Sequence, residues 1–99
     1  MSALAELTIF PIGKHESLSI YVARAVKIIA ESGLEYTVGP MGTVIEGPWP
    51  RVMETVSACM KDMQGDSNRI YMVLKVDWRN EPEGRITRKT DSVFEKINA

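Results

Sequence analysis

The chain has a single cysteine, a single histidine and almost balanced charges. One cysteine excludes an internal disulfide, a CxxC redox pair and a cysteine-rich zinc site, and it is typical of a reducing, cytoplasmic location. The formal net charge of −1 argues against a nucleic-acid binder that neutralises many phosphates. We therefore expect a cytoplasmic protein with no nucleic-acid partner.

Long apolar segments are also missing from the sequence. A transmembrane helix needs about 20 consecutive apolar residues, and a secretory leader begins with basic residues followed by an apolar run. Neither pattern occurs, so we expect neither export nor a membrane partner. The 99 residues, of which 44% are apolar, suffice for one globular domain over 1–99.

The periodicity of the apolar residues predicts four strands and three helices. Alternation covers 4–12, 35–38, 43–46 and 70–77, and helical spacing covers 18–32, 51–64 and 87–97. The first two helices each carry a stripe at i, i+4, i+7 and i+11, which predicts one buried side on each. The predicted stripes are Leu18, Val22, Ala25 and Ile29 on the first helix, and Val52, Val56, Cys59 and Met63 on the second. The element order predicts an α+β, ferredoxin-like βαββαβ sandwich: a four-stranded antiparallel sheet with two helices on one face, plus a C-terminal helix.

A glycine-rich corner joins the second and third strands in the run Gly39-Pro-Met-Gly-Thr-Val-Ile-Glu-Gly47. We expect Gly39 and Gly42 to adopt backbone angles that are closed to other residues, while Pro40 fixes one φ. Gly47 lets the chain leave the strand sharply before the second helix. By itself, this pattern indicates a hairpin corner.

Two helices cover only one face of the sheet, so alternate strand residues must meet water, a ligand or another subunit. We call this uncovered side the open face. Its predicted residues are both apolar and charged: Glu6, Thr8, Phe10, Val44, Glu46, Tyr71, Val73, Lys75 and Asp77. The mixture favours a subunit interface with polar pockets. The alternative is a solvated face with cross-strand ion pairs such as Glu6 with Lys75.

Four segments carry a family resemblance: Pro11-Ile-Gly13, Ser17-Leu-Ser-Ile-Tyr-Val22, the run over 39–47, and Asp77-Trp-Arg79. In order and spacing they resemble the small thiamine-binding proteins formerly catalogued as an uncharacterised conserved family. The resemblance implies a ferredoxin-like fold and assembly into dimers or tetramers through the sheets. It also implies a pocket near subunit contacts for thiamine or its hydroxymethylpyrimidine part, without catalytic activity. Trp78 is a departure, because the family often has an acid there.

Thiamine joins an aminopyrimidine to a cationic thiazolium, so its site requires a carboxylate, hydroxyl groups and apolar or aromatic walls. The candidate ligand-binding residues are Thr8, Phe10, Met41, Thr43 and Glu46. Glu46 would accept from the pyrimidine amine or balance the cation, and Thr8 and Thr43 would bond a ring nitrogen. Met41 and Phe10 would line the walls. Each has a structural alternative, such as an ion-paired strand end for Glu46, a strand former for Thr43 and core packing for Met41.

Catalytic and metal-binding motifs are missing from the sequence. It contains no HExxH, P-loop, GxGxxG or EF-hand pattern, and a triad would need His15, Ser17 and an acid to converge by chance. We expect no enzyme, no metal and no cofactor other than the bound ligand. Cys59 on an apolar stripe is expected to act as a small hydrophobic residue.

Other functions and roles stay open at this point. A regulatory or assembly domain could act through protein contacts on the open face, without a pocket. An acylphosphatase-like hydrolase would require an arginine in the first loop, which offers only Lys14. Asp77 and Arg79 are expected to form a structural salt bridge, and Trp49 and Trp78 are expected to anchor an interface or the core edge.

Overall fold

The computed structural model describes residues 2–14, 17–80 and 85–98. The elements are β1 (Ser2–Pro11), α1 (Leu18–Glu31), β2 (Glu35–Val38), β3 (Thr43–Gly47), α2 (Trp49–Gln64), β4 (Ile70–Arg79) and α3 (Arg85–Ile97). The strands form one antiparallel sheet in the order β2-β3-β1-β4. This confirms the predicted ferredoxin-like arrangement with a C-terminal helix. His15, named above as a possible member of a catalytic triad, lies outside the described residues.

The core lies between the sheet and the first two helices. Alternate residues of β1 are buried on that side, as the alternation predicted: Ala3, Ala5, Leu7 and Ile9. The whole predicted stripe of α2 is also buried, namely Val52, Val56, Cys59 and Met63. Burial raises the pKa of the Cys59 thiol to about 11, which keeps the side chain neutral and consistent with its predicted packing role.

The predicted stripe of α1 is only half right. Ala25 and Ile29 are buried together with Tyr21, but Leu18 and Val22 are 45% and 41% exposed. The prediction of burial for these two residues was wrong because the first turns of α1 face a cavity instead of a packed strand. Helical spacing identifies the side of a helix that turns inward, but it does not report what fills the space opposite.

A side-chain network fixes α1 against the end of α2. Arg24 donates to the Asp62 carboxylate at 2.9 Å and to the Asp66 carboxylate at 2.8 Å. It also donates to the Asp62 carbonyl at 3.0 Å, and its guanidinium lies 5.2 Å from the centre of the Tyr21 ring. The hydrogen bond from Arg24 lowers the pKa of Asp66. The wall that α1 presents to the cavity is therefore anchored at its middle turn.

The open face carries the predicted Glu6–Lys75 ion pair, with Oε1 and Nζ 3.1 Å apart. The predicted contact between Asp77 and Arg79 is also present, at 3.5 Å. At the other end of this face, the rings of Phe10 and Tyr71 are stacked with centres 5.6 Å apart. The face therefore combines ion pairs with exposed aromatic surface, which leaves both predicted uses of it open.

The third helix attaches to one end of the open face through polar contacts. The Ile86 amide donates to Oε1 of Glu46 at 3.4 Å, and Lys89 bonds the Asp77 carboxylate. The apolar side chains further along the helix are more than half exposed: Val93, Phe94 and Ile97. Among the described residues, no helix has both the length and the apolar character that crossing a bilayer requires.

Candidate functional site

A cavity forms beside the last residues of β1, where β3 does not extend as far along β1 as β4 does. The pairing of β1 with β3 stops at Leu7 opposite Thr43, whereas the pairing of β1 with β4 continues to Pro11 opposite Ile70. The last residues of β1 therefore have a strand on one side only. The corner at 39–42 and the first turns of α1 enclose the other side, leaving a cavity of about 310 Å³.

The corner is held directly against β1. The Thr8 hydroxyl donates to the Met41 carbonyl at 2.7 Å, and the Gly39 amide donates to the Gly42 carbonyl at 2.9 Å. A Cβ atom at Gly42 would lie 3.0 Å from Oγ1 of Thr8 and 3.2 Å from the Leu7 carbonyl oxygen. Glycine is favoured at 42 because a side chain there would crowd β1, so that β1 or the corner would have to shift by a few tenths of an ångström.

This is a correction to the reason expected for the corner glycines. Within the described residues, only Gly13 and Gly33 have positive φ. Gly39 and Gly42 therefore do not adopt backbone angles closed to other residues. Their role is steric, since a Cβ atom at Gly39 would lie 3.0 Å from the Gly42 carbonyl oxygen and one at Gly42 would crowd β1.

The cavity walls are mainly aliphatic, and none of the described lining residues is charged. The polar residues of the lining are Thr8 and Thr43, whose side chains lie on opposite faces of the sheet: Thr43 is opposite the buried Leu7, on the side of α1, whereas Thr8 is opposite Val73 on the open face. Thr43 is buried, whereas Met41 is 82% exposed at the rim. The lining residues are Leu7, Thr8, Ile9, Phe10, Leu18, Val22, Ala25, Ile29, Gly39, Pro40, Met41, Gly42 and Thr43.

Four of the five predicted ligand-binding residues line this one cavity: Thr8, Phe10, Met41 and Thr43. The fifth, Glu46, is not among the lining residues. It pairs with Leu4 and Glu35 on the open face, only 2% of it is exposed, and its carboxylate accepts from the Ile86 amide of α3.

The spacing along β3 explains this separation. Thr43 and Glu46 are three residues apart, so their side chains point to opposite faces of the sheet, about 10 Å apart along the strand.

Reasoning from the sequence missed the contribution of α1. Leu18, Val22, Ala25 and Ile29 form one wall of the cavity, although all four appear in the sequence as an ordinary core stripe. One available signal was the location of the first two, near the start of α1 and next to a turn rather than a strand. That signal is weak, because apolar residues near the start of a helix are common in cores.

The chemistry that the cavity can perform follows from its lining. It offers apolar walls, the Thr43 hydroxyl and corner peptide groups, which suits a flat, largely apolar ligand with a few polar atoms. The described lining contains no cysteine, histidine or acid that would pair as nucleophile and base. Across the described residues, no cluster of three or more histidine, cysteine or acidic side chains could hold a metal.

A family model described as thiamine-binding protein matches residues 5–94. The chain belongs to this family. A UPF0045 protein of Methanothermobacter thermautotrophicus is 38% identical over 96 residues, covering 94% of this chain and 97% of that protein. A UPF0045 protein of Mycobacterium tuberculosis is 33% identical over 94 residues, covering 94% and 92% of the two chains.

Solved structures of similar proteins have the same fold. The crystal structure of a hypothetical protein from Methanocaldococcus jannaschii superposes with a TM-score of 0.86 at 31% identity, covering 95% of this chain and 97% of that chain. A protein of Thermotoga maritima, whose proposed role is thiamine biosynthesis or salvage, gives a TM-score of 0.80 at 20% identity. It covers 93% of this chain and 99% of that chain. The family and the fold thus agree with the resemblance found in the sequence.

Proposed function

We propose that the chain is a non-catalytic binding protein that holds thiamine, or its hydroxymethylpyrimidine part, in the cavity between β1, α1 and the corner at 39–42. The observation that carries the proposal is the convergence of Thr8, Phe10, Met41 and Thr43 on one cavity. Membership of the thiamine-binding family and the proposed role of the Thermotoga maritima protein support the ligand class.

The cavity suits the pyrimidine half of thiamine better than the thiazolium half. An aminopyrimidine is neutral and flat, and it needs donors and acceptors that the Thr43 hydroxyl and the corner peptide groups supply. The Thr43 hydroxyl can donate to the ligand, whereas the Thr8 hydroxyl lies on the open face and holds the corner through its bond to the Met41 carbonyl. The volume of about 310 Å³ lies at the lower end of the range for small-ligand pockets.

The charge of the ligand sets its orientation. A cation without a partner is costly to bury, and the described lining of the cavity has no carboxylate. The thiazolium ring therefore stays at the rim, where Met41 is exposed and its sulfur can contact the ring. A phosphate on the far end of thiamine would extend into solvent and add little affinity.

Self-association would place a second subunit close to this rim. Phe10 lines the cavity, and its ring stacks on Tyr71 of the open face, so the two surfaces meet at this residue. Tyr71 is half exposed, and exposed aromatic side chains are enriched at interfaces between proteins. We propose dimers or tetramers in which the open face of one subunit covers that of another and borders the ligand.

Calorimetric titration tests the ligand. Thiamine and hydroxymethylpyrimidine should both bind, and thiamine diphosphate should bind no more tightly than thiamine. Loss of one buried hydroxyl partner costs about 0.5–1.5 kcal/mol, so Thr43→Val should weaken thiamine binding roughly 2- to 12-fold. Thr37→Val on the exposed strand β2 makes the same chemical change away from the cavity and should leave the affinity unchanged. Absence of heat with all three compounds at protein concentrations far above micromolar refutes the proposal.

A second candidate function is that of an assembly or regulatory domain acting through the open face. The observation that favours it is the exposure of Tyr71 and Val73 beside the Phe10 ring, which needs no ligand. This function predicts that Tyr71→Ser abolishes a protein contact. It also predicts that thiamine has no measurable affinity for the parent protein.

A further inference from the structure

The turn over 65–69, which joins α2 to β4, holds the chain on both sides of the exposed part of the cavity wall. Before that part of the wall, the Lys14 ammonium group donates to the Asp66 carbonyl. After it, the Arg24 guanidinium donates to the Asp66 carboxylate at 2.8 and 3.3 Å. Asp66 therefore receives hydrogen bonds from both ends of the segment over 14–24.

Core packing gives the first turns of α1 little support. Leu18 and Val22 line the cavity and are almost half exposed, and the packing of an apolar face is the main force that holds a helix in place. Among residues 18–22 only Tyr21 is buried, and the Arg24 guanidinium lies 5.2 Å from the centre of its ring. The position of these turns relative to β1 therefore depends strongly on the polar contacts at the two ends of the segment.

We propose that Asp66 is a positioning residue for the cavity, because it holds the segment over 14–24 and so keeps the first turns of α1 at the distance from β1 that the ligand requires. The role rests on the proposed function, since this wall belongs to the thiamine site. Asp66 is not among the lining residues, so it acts through the wall and does not touch the ligand. A wall that is in place before binding avoids the loss of entropy that ordering it on binding would require.

The surroundings of Asp66 suit this role better than those of its neighbour Asp62. The Asp62 carboxylate also accepts from Arg24, at 2.9 Å, but this bond reaches only the later end of the segment. The Asp66 amide donates to the carbonyl of the fully buried Met63 at 3.3 Å. The Ser67 hydroxyl donates to the Asp66 carboxylate, also at 3.3 Å. Asp66 is thus tied to the packed end of α2 while it holds both ends of the segment.

Amide hydrogen exchange tests the wall without any ligand. Asp66→Ala removes the bonds from Arg24 and frees the later end of the segment, so the first turns of α1 should open more often. Exchange of the Val22 amide should therefore speed up relative to that of the Cys59 amide, in the middle of α2. A uniform loss of stability would not raise this ratio, because opening of the whole molecule exposes both amides equally.

Calorimetric titration with hydroxymethylpyrimidine measures the effect on the site. This probe is neutral, so removing a protein charge does not act on it directly. Asp66→Ala should weaken binding about 3- to 10-fold, as expected if the wall is in place in about a third to a tenth of the molecules. Lys14→Met removes the bond at the earlier end, keeps the Asp66 carboxylate, and should also weaken binding. Asp91→Ala, the same change at an exposed position of α3, should leave the affinity unchanged.

A destabilised variant separates positioning from stability. Val56 is buried on α2 and is not among the lining residues, so Val56→Ala should lower stability without loss of affinity. The role of Asp66 is overturned if Asp66→Ala and Lys14→Met bind as tightly as the parent, if Val56→Ala loses as much affinity as they do, or if the exchange ratio does not rise. If the parent protein binds neither hydroxymethylpyrimidine nor thiamine, the proposed function fails, and the exchange ratio still decides whether Asp66 positions the wall.

Discussion

Filling the cavity from Ala25 tests whether the space between α1 and β1 is both real and used. Ala25 lies on the cavity wall and is nearly buried. Ala25→Leu adds three carbons, each worth about 0.8 kcal/mol when buried, so the free energy of unfolding could rise by up to about 2.4 kcal/mol. In a packed core the same change would lower it by about 1–3 kcal/mol. With about 310 Å³ available, we expect no loss of stability and at least a tenfold loss of thiamine affinity.

Urea unfolding and calorimetric titration measure the two effects separately. Ala23→Leu is the matched control, because Ala23 belongs to the same helix and is exposed. Its substitution should change stability by less than about 0.5 kcal/mol and should leave binding intact. A large destabilisation by Ala25→Leu would mean that the cavity is not present in solution. Unchanged stability together with unchanged affinity would mean that the ligand binds elsewhere.

Three further predictions follow from individual contacts. Glu46→Gln should leave thiamine affinity within about twofold, because the side chain lies on the open face, but it should speed amide exchange at Ile86 by weakening a charge at a helix start; a clear loss of affinity would return Glu46 to the site. Thr8→Val should lower the free energy of unfolding in urea by about 0.5–1.5 kcal/mol, since the bond to the Met41 carbonyl is lost; an unchanged urea midpoint would show that the corner does not need that bond. Burial raises the pKa of Cys59 from 9.0 to about 11, so the unfolded thiol ionises first and stability should fall as the pH rises through this range; Cys59→Ala should show a smaller fall, and an equal fall in both proteins would contradict the assignment.

Much of the fold was predictable because its signals are local. Alternation in β1 placed Leu7 and Ile9 on the buried side, and the stripe of α2 placed Val56 and Met63 there. Both reflect the geometry of a single element, with period two for a strand and 3.6 for a helix. The corner glycine at 42 was recognised as special from its neighbours alone.

The site was less predictable because it depends on where one strand stops relative to another. The exposure of Leu18 and Val22 follows from the place where the β1–β3 pairing stops, at Thr43, which is a property of strand register and not of helical spacing. The separation of Glu46 from Thr43 could have been read from their odd spacing along one strand. The steric role of Gly42 could not, since it arises from the approach of a segment more than thirty residues away in sequence.

The protein's crystal structure determined with thiamine tests the central claim most directly. The account predicts density for the pyrimidine ring in the cavity, between Ala25 on α1 and the Thr43 hydroxyl, with the thiazolium ring at the rim beside Met41. An empty cavity in crystals that hold thiamine at another place, with saturation confirmed in solution, would contradict it.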